Sequence, residues 1–128
     1  MIITLSKTTY YELKADYSKN RMYICILGFW REKGSYLADL DAACKTMSRG
    51  FSIQVDLAEM KAPRNEIGQV HEEAQVILMK YGLAHTAEIQ SGNAITKMVL
   101  RKYSDNSGMG KQVFLSHSDA AQWLDSFL

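Results

Sequence analysis

Three histidines, two cysteines and an aspartate at the end of an apolar segment are the residues through which this sequence could do chemistry. His71-Glu72-Glu73 begins like a zinc-protease helix, but no second His follows four residues on to complete the ligand pair. His85 falls in a segment of strand character, and His117 sits between Ser116 and Ser118, where it is expected to be exposed. No pair of these residues has a metal-ligand spacing, so neither a metal site nor a cofactor is expected. Cys25 and Cys44 lie inside apolar patterns and read as free buried thiols, a disulfide or metal pair being the alternative. Asp56 could act as an acid or base, cap a helix or orient a loop. With no His, Ser or Cys beside it to form a relay, the structural roles are the simpler reading. Lys61 and Arg64 flank Pro63 and, with Asn65, stand near an expected helix start, where they could meet an acidic partner or an anion; a solvated loop is the alternative. Trp30 and Arg31 are of the types that dominate binding hot spots, although the Trp ring could instead fold back over the core edge. Met60 could add an adaptable apolar contact or fill a gap. Gly108-Met109-Gly110-Lys111 lacks Walker spacing and reads as a turn.

The composition narrows the classes. The chain has 128 residues, of which 47% are hydrophobic and 23% charged, and Lys plus Arg (15) nearly balance Asp plus Glu (14). This suits one globular domain over residues 1–128 and not a disordered chain. A net charge of +1 argues against a dedicated nucleic-acid binder, which draws most of its non-specific affinity from a basic excess. The N-terminal residues lack the charged and apolar regions of a signal peptide. The longest apolar run, Met22 to Trp30, is too short for a membrane span, so a cytoplasmic protein is expected.

The elements that must position these residues follow from periodicity. Tyr11, Leu13, Ala15 and Tyr17 alternate with Glu12, Lys14 and Asp16, the pattern of a strand with one wet face at or near a sheet edge. A polar break over Ser18–Arg21 joins it, as a hairpin, to the almost continuously apolar Met22–Phe29, which reads as a strand buried on both faces. Leu37, Leu40, Cys44 and Met47 then recur at helical spacing and end at Gly50. Phe51, Ile53, Val55 and Leu57 alternate with polar residues and predict a third strand. Ile67, Val70, Ala74, Ile77 and Tyr81 predict a second helix, closed by Gly82. Leu83–Ile89 reads as a strand, Ile95–Tyr103 as a helix, Ser104–Gly108 as a loop and Val113–Leu115 as a short strand. The last helix has Ser116 or Ser118 as cap, Asp119 in its first turn and an apolar stripe of Ala120, Trp123, Leu124 and Phe127. Strands separated by helices require parallel crossovers. The expected fold class is therefore α/β, a mixed, mostly parallel sheet of about five strands with about four helices.

This order resembles the STAS fold, named for sulfate transporters and anti-sigma factor antagonists, over nearly the whole chain. Gly50-Phe51-Ser52-Ile53-Gln54-Val55-Asp56-Leu57 is similar to that family's central strand, which ends in an Asp-Leu pair. Tyr81-Gly82-Leu83 and the pattern Phe114-x-Ser116-x-x-x-Ala120-x-x-Trp123-Leu124 resemble further segments of small stand-alone bacterial members. The resemblance implies a regulatory, protein-interaction module. Anti-sigma factor antagonists carry a phosphorylatable Ser or Thr just after the Asp-Leu strand, where phosphate adds a charge of about −1.5 to −2 and breaks binding. The corresponding stretch here, Ala58 to Gly68, has no Ser, Thr or Tyr, so no phospho-acceptor is expected and partner binding should be constitutive or ligand-controlled.

In open α/β sheets ligands sit beyond the carboxyl ends of the parallel strands. That edge should gather Phe29–Arg31, Asp56–Arg64, Gln90–Asn93 and Ser116–Ser118. The candidate binding surface is therefore Trp30, Arg31, Asp56, Met60, Lys61, Arg64, Asn65 and His117. The occupant is expected to be a protein partner or a second copy of the chain. The alternative is a small apolar or amphiphilic ligand under the second and third helices, as in lipid-transfer relatives of the fold. An enzyme would require Asp56, His85 or His117 to converge on one pocket.

Overall fold

The computed structural model of the chain describes residues 1–27, 35–59, 65–90 and 111–128, with the backbone alone described over 65–69. Six strands form one sheet whose spatial order is the order of the chain: β1 (Ile3–Lys7), β2 (Tyr11–Asp16), β3 (Arg21–Ile26), β4 (Ser52–Asp56), β5 (His85–Ile89) and β6 (Gln112–Phe114). β1, β2 and β3 pair antiparallel, and β3 to β6 run parallel. The described helices are α1 (Tyr36–Lys45), α2 (Asn65–Lys80) and α3 (His117–Asp125). The mixed α/β class is as the periodicity implies. The expected helix over Ile95–Tyr103 and the loop Ser104–Gly108 lie outside the described residues.

Three details differ from expectation. The sheet has an additional strand, β1, which forms the edge, so β2 lies near the edge and not at it. Its signal is weak because its register with β2 shifts between Thr4 and Ser6, and because Ile3 stays 42% exposed on a strand with one neighbour. β3 is not buried on both faces either. Met22, Ile24 and Ile26 are buried, whereas Tyr23 and Cys25 on the other face are half-buried. Cys25 and Cys44 are both free, but Cys44 alone is buried.

Register explains which face is which. Side chains alternate along a strand, and paired residues share a face. Leu13 pairs with Ile24, and the Met22 row continues through Ile53 to Thr86. α1 and α2 cover this face, burying Tyr36, Leu40, Cys44, Val70, Ala74 and Leu78 against Leu13, Met22, Ile24 and Ile53. On the opposite face Ala87 and Ile89 of β5 pack on Ala120 and Leu124 of α3 in a second, smaller core flanked by Phe114 and Trp123. Ser116 caps α3, its Oγ accepting from Asp119 N at 3.2 Å. Gly50 (φ +87°) and Gly82 (φ +92°) adopt the left-handed conformation that ends the turns before β4 and β5. Gly50 N donates to Gly82 O at 2.7 Å, and a Cβ on Gly82 would meet the Arg49 side chain at 3.1 Å.

β5 reverses the usual polarity of the helix-covered face. Thr86 and Glu88 are buried toward α2, where Glu88 Oε2 meets Lys111 Nζ at 2.5 Å and His71 and Gln75 line the same space. Burial, reinforced by the Lys111 charge, depresses the His71 pKa from 6.5 to about 4. Below pH 6.5 the unfolded chain takes up a proton that native His71 does not, so stability falls as pH drops toward 4. The expected loss between about pH 7 and about pH 5 is roughly 2 kcal/mol. Urea midpoints at the two values should move less in His71→Gln than in the wild-type chain. Three hydrogen-bonded carboxylates titrate below this window. Asp39 (bonded first by Tyr11) and Asp125 (first by Arg21) are held below 3.8, and Glu12 (first by Lys14) below 4.5.

Candidate functional site: a cleft on the open sheet face

Among the described residues α3 covers only part of the second face and leaves the flank formed by β2, β3 and β4 uncovered. The alternation that sends Leu13, Ile24 and Ile53 into the core sends Glu12, Lys14, Tyr23, Cys25, Gln54 and Asp56 to this side. The result is a cleft of about 360 Å³ floored by these residues and walled by Ile2 and His117.

Asp56 and His117 meet at its rim, 61 residues apart in sequence. Asp56 is the last residue of β4, and its Oδ1 accepts from Ala58 N at 2.9 Å, an Asx turn that bends the chain out of the strand. His117 is the first residue of α3, delivered by the Ser116 cap. Gln54 Nε2 donates to His117 Nδ1 at 3.1 Å. This leaves the ring proton on Nε2, which donates to Asp56 Oδ2 at 2.9 Å. The His117 side chain is 64% exposed against 20% for Asp56, so the imidazole face is presented outward while its nitrogens are held.

Asp56 and His117 are therefore brought together as the edge rule anticipates. His85 is not with them: its ring stacks on Phe127 at 3.7 Å and meets Trp123 edge-on. Trp30, Arg31, Met60, Lys61 and Arg64 lie outside the described residues, and Asn65 is described as the first backbone position of α2. Sequence reasoning missed Gln54, Cys25, Tyr23, Glu12 and Lys14. Their signal was the period of two. Gln54 precedes Asp56 by two positions, and Cys25 is the register partner of Asp56.

Asp56 and His117 do converge on one cleft, as enzyme chemistry would require, but their bonding opposes a relay. Both imidazole nitrogens are engaged, by Asp56 and Gln54, so neither faces a nucleophile. The Cys25 thiol is held above its ordinary pKa, first by burial and then by the Asp56 and Glu12 charges, the reverse of an activated cysteine. No group of three or more His, Cys, Asp or Glu among the described residues is arranged to hold a metal ion. On the other face the space between α2 and the sheet is about 30 Å³, the room of about one water, and its lining includes Gln75, Thr86 and Glu88. No helix of the described residues is long and apolar enough to cross a membrane.

A solved structure of an uncharacterized DUF3478-family protein from Shewanella loihica PV-4, with a SpoIIAA-like fold, superposes with a TM-score of 0.64. The match covers 93% of this chain and 97% of that one at 14% identity. The fold is SpoIIAA-like. It is the fold of STAS domains and anti-sigma factor antagonists, as the Asp-Leu strand and the element order led us to expect. No protein-family model and no curated protein matches the sequence. On this scaffold the Asp56–His117 pair stands at the carboxyl end of β4.

Proposed function

We propose that this chain is a small cytoplasmic STAS-like regulatory module. It binds a protein partner through the carboxyl edge of its sheet, without a phosphorylation switch and without catalysis. The observation that supports this reading is the Asp56–His117–Gln54 chain of hydrogen bonds, which fixes an exposed imidazole at that edge while using both its nitrogens internally. A ring so held is pre-organised for contact and costs little ordering entropy on binding. Trp30 and Arg31 follow β3 in the chain, and Met60, Lys61, Arg64 and Asn65 follow β4. They add the aromatic and Arg types from which interfaces draw most of their energy. A switch that needs a hydroxyl between Ala58 and Gly68 has none to use.

The test is affinity capture with the wild-type chain, an Asp56→Asn/His117→Ala variant and a Lys61→Glu/Arg64→Glu variant, each shown to be folded by circular dichroism. A partner retained by the wild type and lost from both variants is the expected result. The same partners on all three would overturn the proposal.

A further inference from the structure

The cleft beside the Asp56–His117 pair has the size and polarity of a ligand site in its own right. Its volume of about 360 Å³ falls at the lower end of the range for small-molecule sites, which runs from about 300 to 1,000 Å³. Ile2 and the Tyr23 ring give it an apolar wall and floor. Its charged lining consists of two carboxylates, Glu12 and Asp56, against the single ammonium of Lys14, which is already tied to Glu12 at 2.9 Å. Lys7 also reaches Glu12, at 3.5 Å, but is 73% exposed and so screened by water and salt. Acceptors are thus in excess. Gln54 sharpens this imbalance: it lines the cleft, is 6% exposed, and its buried Oε1 has no hydrogen-bond partner among the described residues. A buried amide oxygen left unpaired is costly, and a donor supplied from outside would relieve it.

We propose that this cleft binds a small organic cation, an amine or guanidine carried on an apolar body. The cationic head would take the acceptors of Glu12, Asp56 and Gln54, and the apolar part would lie between Ile2 and the Tyr23 ring, whose face also attracts cations. The upward displacement of the Cys25 thiol at the cleft floor reports the same negative surroundings: after burial, its causes are the charges of Asp56 and Glu12, with Lys14 only partly opposing them. An anionic ligand would meet these carboxylates unfavourably. The inference does not depend on the protein-partner reading, since the cleft can fill whether or not a partner docks on its rim.

The test compares three probes of one size and shape that differ in charge: phenethylamine, phenethyl alcohol and phenylpropionate. Calorimetry and two-dimensional NMR on the full chain read the result. The amine should bind at least about tenfold more tightly than the alcohol, because a hydrogen bond to a charged group is stronger by about that factor. Phenylpropionate should bind most weakly. Amide shifts should concentrate at Tyr23, Cys25, Gln54, Asp56 and His117 and spare α1. Glu12→Gln should weaken the amine about tenfold and leave the alcohol unchanged. Should that variant fail to fold, Cys25→Phe, which fills the floor, should abolish all binding while the probe ranking in the wild type still stands. Equal binding of amine and alcohol, preference for the carboxylate, shifts located elsewhere, or no binding of any probe up to millimolar concentration would each overturn the proposal.

Discussion

Asp125→Ala should lower the Tm by about 10 °C, and adding Arg21→Met to that variant should restore most of the loss. Arg21 opens β3, and its side chain is 1% exposed. Its NH2 donates to Asp125 Oδ1 at 2.8 Å, and Lys19 joins from 3.3 Å. Arg21 Nε has no partner among the described residues, so Asp125 is the anionic support of a fully buried guanidinium. Removing the carboxylate leaves that charge uncompensated in the interior, which costs more than the pair itself contributes. Met keeps much of the Arg volume without the charge, so the double replacement should be near neutral. The pair also ties the last turn of α3 to β3, and through α3 it supports the position of His117. Thermal unfolding of the two single variants and the double variant measures the coupling. Losses that simply add would show that Asp125 does not serve Arg21.

Phe51→Ala should be the most damaging simple truncation, at about 3–5 kcal/mol, or about 12–20 °C in Tm. Phe51 is 0% exposed and lies where the left-handed Gly50 feeds the chain into β4, between the α1 and α2 layer and the sheet. Its carbonyl accepts from Ala84 N at 2.8 Å, so the neighbouring backbone is held by the β5 approach and cannot close over the space left by the ring. The cost then combines lost transfer energy with an unrelaxed cavity. Leu115→Ala is the contrast: Leu115 is 73% exposed, and its truncation should stay within about 0.5 kcal/mol in denaturant melts.

Most elements were legible because each has a strong period and a clear stop. β2 and β4 show strict alternation, and α2 closes on Gly82, whose positive φ suits its place after the last helical turn; α1, in contrast, already ends at Lys45 with Thr46 as a right-handed cap, and Gly50 turns the chain into β4 instead of capping the helix. β1 was not, since an edge strand exposing Ile3 has little burial pattern to display. β3 misled for the opposite reason. Tyr23 and Cys25 are apolar enough to suggest two buried faces, yet α3 reaches β5 and β6 and leaves the β3 flank half open. In β5 the buried positions Thr86 and Glu88 are polar, so hydrophobicity alone gives no account of which face α2 covers.

For the site, the sequence by itself determined the members of each row: alternation puts Gln54 and Asp56 on one side of β4, and the run from Ala58 to Gly68 has no hydroxyl to phosphorylate. It also placed a helix start at Ser116 or Ser118, and the structure makes Ser116 the cap and His117 the first helical residue. Only the tertiary structure decided that His117 closes on Asp56 and Gln54. That contact spans 61 residues and depends on parallel register and on the placement of α3 over the far face, neither of which has a local signature. Periodicity assigns a residue to a face, whereas a cleft arises from what the neighbouring elements leave uncovered. That depends on helix length and sheet width, quantities set by packing across the whole sheet.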